Sequence, residues 1–368
     1  MKPYLKPFFF DDFSCIADKC RNTCCGGWNI KVDPVTAEKY EKNNIKLDEN
    51  SNLVLDENGM CRHLSKDGLC SLVCKYGENM LSYTCDFFPR TALESDNYIE
   101  LYLDNACQAV LEFLMKEKGH LMFTDCEEYK KNISYKKMSD ECAFTIRDFA
   151  IDLLQVEASS IWTRFFAAYR FIKNNADKDM EEILANINNY YDADYLTKTF
   201  NEIDELSIDL NIALQYKAHM FGNVNGTLEK GIIYDKYIVP IMNYLGNADI
   251  NTLTAGWSEF IIAMKPYEYY FENYMVNSVY RSLLPTAQDE KLLDNMEVLL
   301  VELSMSYFTC FMWWFLNDRM LNEEEIIDIS GHYARIVEHN KVHGSSFLNK
   351  LKRDGDLTLG VFYMLLAV

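Results

Sequence analysis

The chain has 368 residues, 49% of them apolar and 14% aromatic, and a formal net charge of −20. That length is enough for two domains and for a large hydrophobic core that needs no metal to form. The acidity argues against a nucleic-acid partner, because proteins that bind a phosphate backbone present a basic face. It suits a basic partner such as a lysine-bearing protein surface, although an acidic face kept only for solubility gives the same balance.

The N-terminus runs from Met1-Lys2-Pro3-Tyr4 to Asp11 and Asp12 without a secretory apolar stretch, so the expected compartment is the cytoplasm, where free thiols persist. Nine of the twelve cysteines fall in the first 107 residues. A small secreted domain with this pattern would suggest disulfides, but the chain is long and its thiols gather at one end, which favours a metal. Thiolate is the soft ligand selected by zinc and iron–sulfur clusters, and distant cysteines can converge on one centre. Four ligands suffice. The favoured four come from Cys20, Cys24, Cys25, Cys61, Cys70 and Cys85, with Cys15 and Cys107 in reserve. His63 is an alternative ligand, and Cys74 has no partner at ligand spacing. Short segments cut by Gly26-Gly27, Asp33-Pro34, Asn58-Gly59, Asp67-Gly68 and Pro89 predict loops wrapped around that site.

Past residue 110 the texture turns helical. The stretch from Ile146 to Ile172 carries Phe149, Leu153, Val156, Ile161, Phe165 and Tyr169 and contains neither glycine nor proline. Met180, Ile183, Leu184, Ile187 and Tyr191 recur at helical spacing behind Asp179, which with Glu182 makes a capping-box-like start. Gly222 to Gly226 reads as a connection. The most apolar run, Tyr307 to Leu316, is far shorter than the roughly 20 residues a bilayer core requires and reads as a buried helix, so no membrane partner is expected. Cys126, Cys142 and Cys310 suit ordinary packing, as do His332, His339 and His343. The expected fold is mostly α, with a loop-rich, cysteine metal-binding region over residues 1–110 packed on a helical bundle over residues 111–368.

Several pieces resemble the flagellin lysine N-methylase family, whose N-terminal part is related to a zinc- or iron-chelating cysteine-rich domain. They are Cys15-x4-Cys20-Arg-Asn-Thr-Cys24-Cys25-Gly-Gly-Trp28, Cys61-x2-Leu64 with Gly68-Leu69-Cys70, Thr84-Cys85, Phe88-Pro89-Arg90 and Cys107. Weaker ones follow at Arg147 to Arg164, Glu272-Asn273-Tyr274, Tyr280-Arg281 and Asp318-Arg319. The resemblance implies methyl transfer from S-adenosylmethionine to lysine ε-amino groups of flagellin, by a protein with a cysteine-ligated 4Fe-4S iron–sulfur cluster, zinc being the alternative. The sequence has no Gly-x-Gly-x-Gly turn between a strand and a helix, and Gly27 stands where a radical S-adenosylmethionine motif would place a third cysteine. A donor pocket must therefore be built in a less familiar way.

Methyl transfer to an amine needs a desolvated lysine slot, a group to take or relay the proton and an aromatic wall for the sulfonium. The cluster from Tyr267 to Tyr274 is the preferred wall, with Glu272 and Tyr274 as catalytic candidates and Asn273, Trp28 and Arg90 as cofactor-binding ones. The competing readings are an amphipathic helix burying a tyrosine face, a tryptophan shielding the metal loop, and arginines, including Arg147 and Arg164, paired with neighbouring acids. A non-catalytic metal-binding or electron-transfer module that docks a protein partner is the second function class.

Overall fold

The structure, a computed structural model, describes residues 2–129, 135–225, 231–285, 291–339 and 358–366; His343 and the His339 side chain lie outside this description. The N-terminal part is built of short pieces, as the turn residues predict: strand β1 (Tyr4–Pro7), helices α1 (Pro34–Lys42), α2 (Ser71–Tyr76) and α3 (Tyr83–Phe87), and strands β2 (Arg90–Glu94) and β3 (Ile99–Leu103). After α4 (Gln108–Lys116), β4 (Phe123–Cys126) and β5 (Lys136–Lys137) complete a five-stranded sheet of order β4-β1-β3-β2-β5. β1 runs parallel to β3 and antiparallel to β4, while β2 is antiparallel to β3 and parallel to β5. Every residue of β3 is buried, including Glu100. That carboxylate is matched by a two-pronged contact from Arg147, Nη1 to Oε2 at 2.6 Å and Nη2 to Oε1 at 2.8 Å, so Arg147 is paired with an acid.

The rest is helical: α5 (Glu141–Leu154), α6 (Ile161–Asn175), α7 (Met180–Tyr190), α8 (Ala193–Asp204), α9 (Leu210–Asn225), α10 (Val239–Leu245), α11 (Ile250–Met264), α12 (Glu268–Ser282), α13 (Leu292–Leu316), α14 (Glu323–His339) and α15 (Leu359–Leu366). The fold is mostly α, as expected. The apolar run from Ile146 to Ile172 is divided between α5 and α6, because Ser160 caps a new start by accepting from Thr163 N at 3.1 Å. Asp179 does start α7, accepting from Glu182 N at 3.0 Å. Ile183 and Ile187 face inward from α7, whereas Leu184 and Tyr191 are exposed. Gly222, expected in a connection, lies inside α9.

Two hydrophobic cores form. The large one draws on residues from Phe9 to Leu366, and the small one on Ile30, Val32, Tyr40, Leu53, Cys61, Leu72 and Met80. At the centre of the large core, α13 runs 25 residues without glycine or proline and packs against α6, α9, α11, α12, α14 and α15. It is the one helix among the described residues long and apolar enough to cross a membrane, and 83% of its most apolar window is buried inside the protein. Beside it α12 is buried continuously from Tyr270 to Tyr280, on all faces rather than one. Its polar residues therefore need partners, and those partners define much of the candidate site.

Candidate functional site

The thiol-rich end is organised by backbone bonds between loops. Cys61 N donates to Cys25 O at 2.7 Å, and isolated bridges pair Leu55 with Cys61 and Leu64 with Cys70. Cys70 precedes α2 and Cys85 lies in α3, its amide held by Ser82 Oγ at 3.2 Å. Cys25, Cys61, Cys70 and Cys85 thus share the small core, where Cys85 interacts electrostatically with the other three. Cys25 also meets Cys24 through a side-chain hydrogen bond and lies near Cys20, Cys107 lies near Cys20 and Cys24, and Arg335 of α14 acts electrostatically on Cys20, Cys24, Cys25 and Cys107.

All twelve cysteines are free thiols, and Cys310 is fully buried. Among the described residues no three His, Cys, Asp or Glu side chains stand together at metal-holding distance as they are oriented here. The adjacent Cys24 and Cys25 share a hydrogen bond that pushes the Cys24 thiol up and brings Cys25 down to about 6, so the pair titrates as a unit. Burial raises Cys20 and Cys61, and lifts Cys85 to about 11 and Cys107 to about 12. Burial also lowers the pKa of His63, favouring its neutral form. Cys74 is exposed.

The residues assigned to a cofactor from sequence are each committed to a different set of contacts. Trp28 packs on the small core, donates from Nε1 to Cys24 O at 2.8 Å and tilts against Phe88 at 5.9 Å between centroids. That contact makes it a cover for the thiol loop. Arg90 lies over the Phe13 ring at 4.6 Å and donates to Phe13 O at 3.1 Å. Asn273, fully buried, clamps the segment after α4: its Oδ1 accepts from Leu121 N at 2.9 Å and its Nδ2 donates to the carbonyls of Glu117 (3.0 Å) and Gly119 (2.8 Å).

The clamped segment presents His120, which has no distinguishing sequence signal beyond Gly119 before it. His120 Nδ1 donates to Glu272 Oε1, and Arg164 Nη1 of α6 holds Glu272 Oε2 at 2.6 Å while also donating to Leu154 O. Glu272 and Arg164 are each 7% exposed and His120 is 34% exposed, with Nε2 3.3 Å from Glu157, whose side chain is 84% exposed. A carboxylate anchored by a guanidinium thus orients an imidazole whose other nitrogen faces outward, an arrangement suited to accepting a proton. Two residues along α12 is a separate network, where the buried Tyr274 hydroxyl donates to Glu302 of α13. Glu302 is raised to about 7 by burial, opposed in part by that bond.

Comparison with known proteins places this arrangement in context. The chain is 23% identical over 184 residues to the lysine-N-methylases of Salmonella typhimurium and Salmonella choleraesuis, covering 45% of this chain and 46% of each relative. It is 26% identical over 144 residues to the flagellar biosynthetic protein FliU of Salmonella muenchen, covering 34% of this chain and 85% of that protein. The chain thus spans about half the length of the lysine-N-methylases it matches. No solved structure matches it. The model of the FliB lysine N-methylase C-terminal domain matches residues 147–365, which carry Arg164, Glu272 and Arg335 and make up more than half of the chain, and the protein belongs to that family.

Proposed function

We propose that the chain methylates lysine ε-amino groups of a protein, with flagellin as the substrate that the flagellar relative and the family resemblance suggest. The observation that carries this reading is the match over residues 147–365, within which two of the three members of the His120–Glu272–Arg164 set fall. S-adenosylmethionine would supply the electrophilic methyl. A lysine ammonium must lose its proton before it can act as a nucleophile, and with Nδ1 bonded to Glu272, His120 Nε2 is the acceptor. The exposed Glu157 carboxylate steadies a proton placed there. Glu272 acts through His120, Asn273 fixes the segment that carries it, and Tyr274 ties α12 to α13.

The four thiols of the small core, Cys25, Cys61, Cys70 and Cys85, have the chemistry to hold a 4Fe-4S cluster or zinc. Such a group would supply electron transfer or local rigidity. Thiols kept reduced for that purpose suit the cytoplasm. The test is incubation of the anaerobically purified protein with isotope-labelled S-adenosylmethionine and flagellin of the same cell, followed by mass mapping of lysines. Gains of one methyl mass or more at lysine are expected, and an unlabelled flagellin would overturn the reading.

A further inference from the structure

The two edges of the sheet differ in what they admit. β5, at one edge, is two residues long, and both are exposed lysines, Lys136 and Lys137. Lysine on an edge strand discourages pairing and repels a basic partner most of all. β4, at the other edge, reads Phe123-Thr124-Asp125-Cys126 and contains neither lysine nor proline. It pairs with β1 in four consecutive steps without a bulge, from Tyr4 with Cys126 to Pro7 with Phe123.

The direction of the main-chain groups follows from β1. Phe8 N donates to Met122 O at 3.0 Å, whereas Ile99 N of β3 donates to Pro3 O at 3.0 Å, so even-numbered residues of this stretch face β4 and odd-numbered ones face β3. Pro7, which has no N–H, falls in the odd set and costs the β4 ladder nothing. Phe123 and Asp125 stand opposite Pro7 and Leu5, and therefore turn their N–H and C=O groups away from β1. Among the described residues those groups have no hydrogen-bond partner. Thr124 and Asp125 are exposed, and the chain after Cys126 turns back toward β1, where Tyr129 meets the rings of Tyr4 at 6.1 Å and Phe10 at 5.6 Å.

This edge is continuous with the His120 site. β4 begins three residues after His120, and the intervening Leu121 is buried while Met122 is 61% exposed. Phe8, 40% exposed, stands across from Met122 and completes an apolar pair at the surface. The exposed acids Asp125, Glu127 and Glu128 lie along the strand and just beyond it, and Glu157 stands at His120.

We propose that an extended, lysine-bearing segment of the substrate protein adds to the sheet as a sixth strand along the outer edge of β4. The identity of this occupant rests on the reading of the chain as a lysine methylase acting on flagellin. Main-chain bonds to Phe123 and Asp125 grip the segment with little regard to its sequence, and the acids select for positive charge. The Phe8–Met122 pair covers apolar atoms of the segment between the strand and His120. At roughly 3.4 Å per residue, the target lysine lies about three residues from the one paired with Phe123.

The test is hydrogen exchange of the full chain, alone and with flagellin monomer from the same cell, read at single amides. In the free chain the Phe123 and Asp125 amides should exchange about tenfold faster than those of Thr124 and Cys126, and saturating flagellin should slow the first two about tenfold. Flagellin that does not bind, or that binds and leaves these two amides unchanged, overturns the inference. D125P removes an outward N–H and leaves the ladder to β1 intact, so it should weaken flagellin binding about tenfold. D125N keeps the N–H, loses only the charge and should weaken binding about twofold at low salt. Equal effects of the two variants, or none from D125P, overturn strand addition; should D125P fail to fold, the exchange of the unaltered chain decides. Protection of β4 without methylated lysine refutes the proposed activity alone, and methylated flagellin without protection refutes the docking alone.

Discussion

Arg164 Nη1 meets Glu272 Oε2 at 2.6 Å with both side chains 7% exposed, joining α6 to the buried α12 through one ion pair. Among the described residues Arg164 Nε has no hydrogen-bond partner, and its Nη1 is shared between Glu272 and Leu154 O. Removing one partner of such a pair strands the other charge. E272L should cost about 3–5 kcal/mol in urea unfolding, and the double variant E272L/R164M should recover much of that loss.

His120 is the accessible member of the same set, and its replacement separates chemistry from stability. H120A removes a side chain that is 34% exposed, so the melting temperature should change little. Methyl transfer should fall about 100-fold, the ordinary contribution of a positioned general base. Parallel measurement of labelled methyl incorporation and thermal unfolding checks both.

Asn273 makes three hydrogen bonds to the segment from Glu117 to Leu121. N273A leaves a buried amide and two carbonyls without that partner and should cost about 3 kcal/mol. Hydrogen exchange should quicken at the Leu121 amide, and methyl transfer should drop along with it if His120 is positioned by this clamp.

Lys217 of α9 sits over the Trp257 ring at 5.2 Å and donates to Leu365 O at the end of α15; burial lowers its pKa to about 7. The unfolded chain binds this proton up to about pH 10. Between about pH 7 and 10 the unfolded state therefore holds more protons, and stability rises with pH. K217M should flatten that slope and stabilise the protein at pH 7 by a few kcal/mol, because Ser304 Oγ still donates to Leu365 O at 2.8 Å. Urea unfolding at a series of pH values reads the slope directly.

Glu302 titrates with the opposite sign. Burial raises its pKa to about 7, so the folded state keeps a proton that the unfolded state loses near pH 4, and stability falls as pH rises through that interval. E302Q keeps an acceptor for the Tyr274 hydroxyl without the charge. It should lack this slope and exceed the unaltered chain in stability above pH 7, as measured by thermal unfolding across pH.

Local signals were legible wherever a few neighbouring residues carry the physics. The Asp179 cap of α7, the buried run ending at Leu316 and the turn-rich cysteine loops could all be read in order along the chain, because caps, periodicity and turns depend on residues within a turn or two. The break at Ser160 was less visible, since no glycine or proline marks it. The five-stranded sheet was hidden for another reason: its strands are two to five residues long and come from positions as far apart as Tyr4 and Lys137.

By itself, then, the sequence determined a mostly α chain with a thiol-rich end and placed Glu272 in a polar and aromatic stretch. Only the tertiary structure decided that Glu272 meets His120 and Arg164, and that Arg335 of α14 reaches the carbonyls of Asn22 and Thr23. Those pairings join residues more than a hundred positions apart, and a charge buried on one helix carries no local mark of the residue on another that will neutralise it.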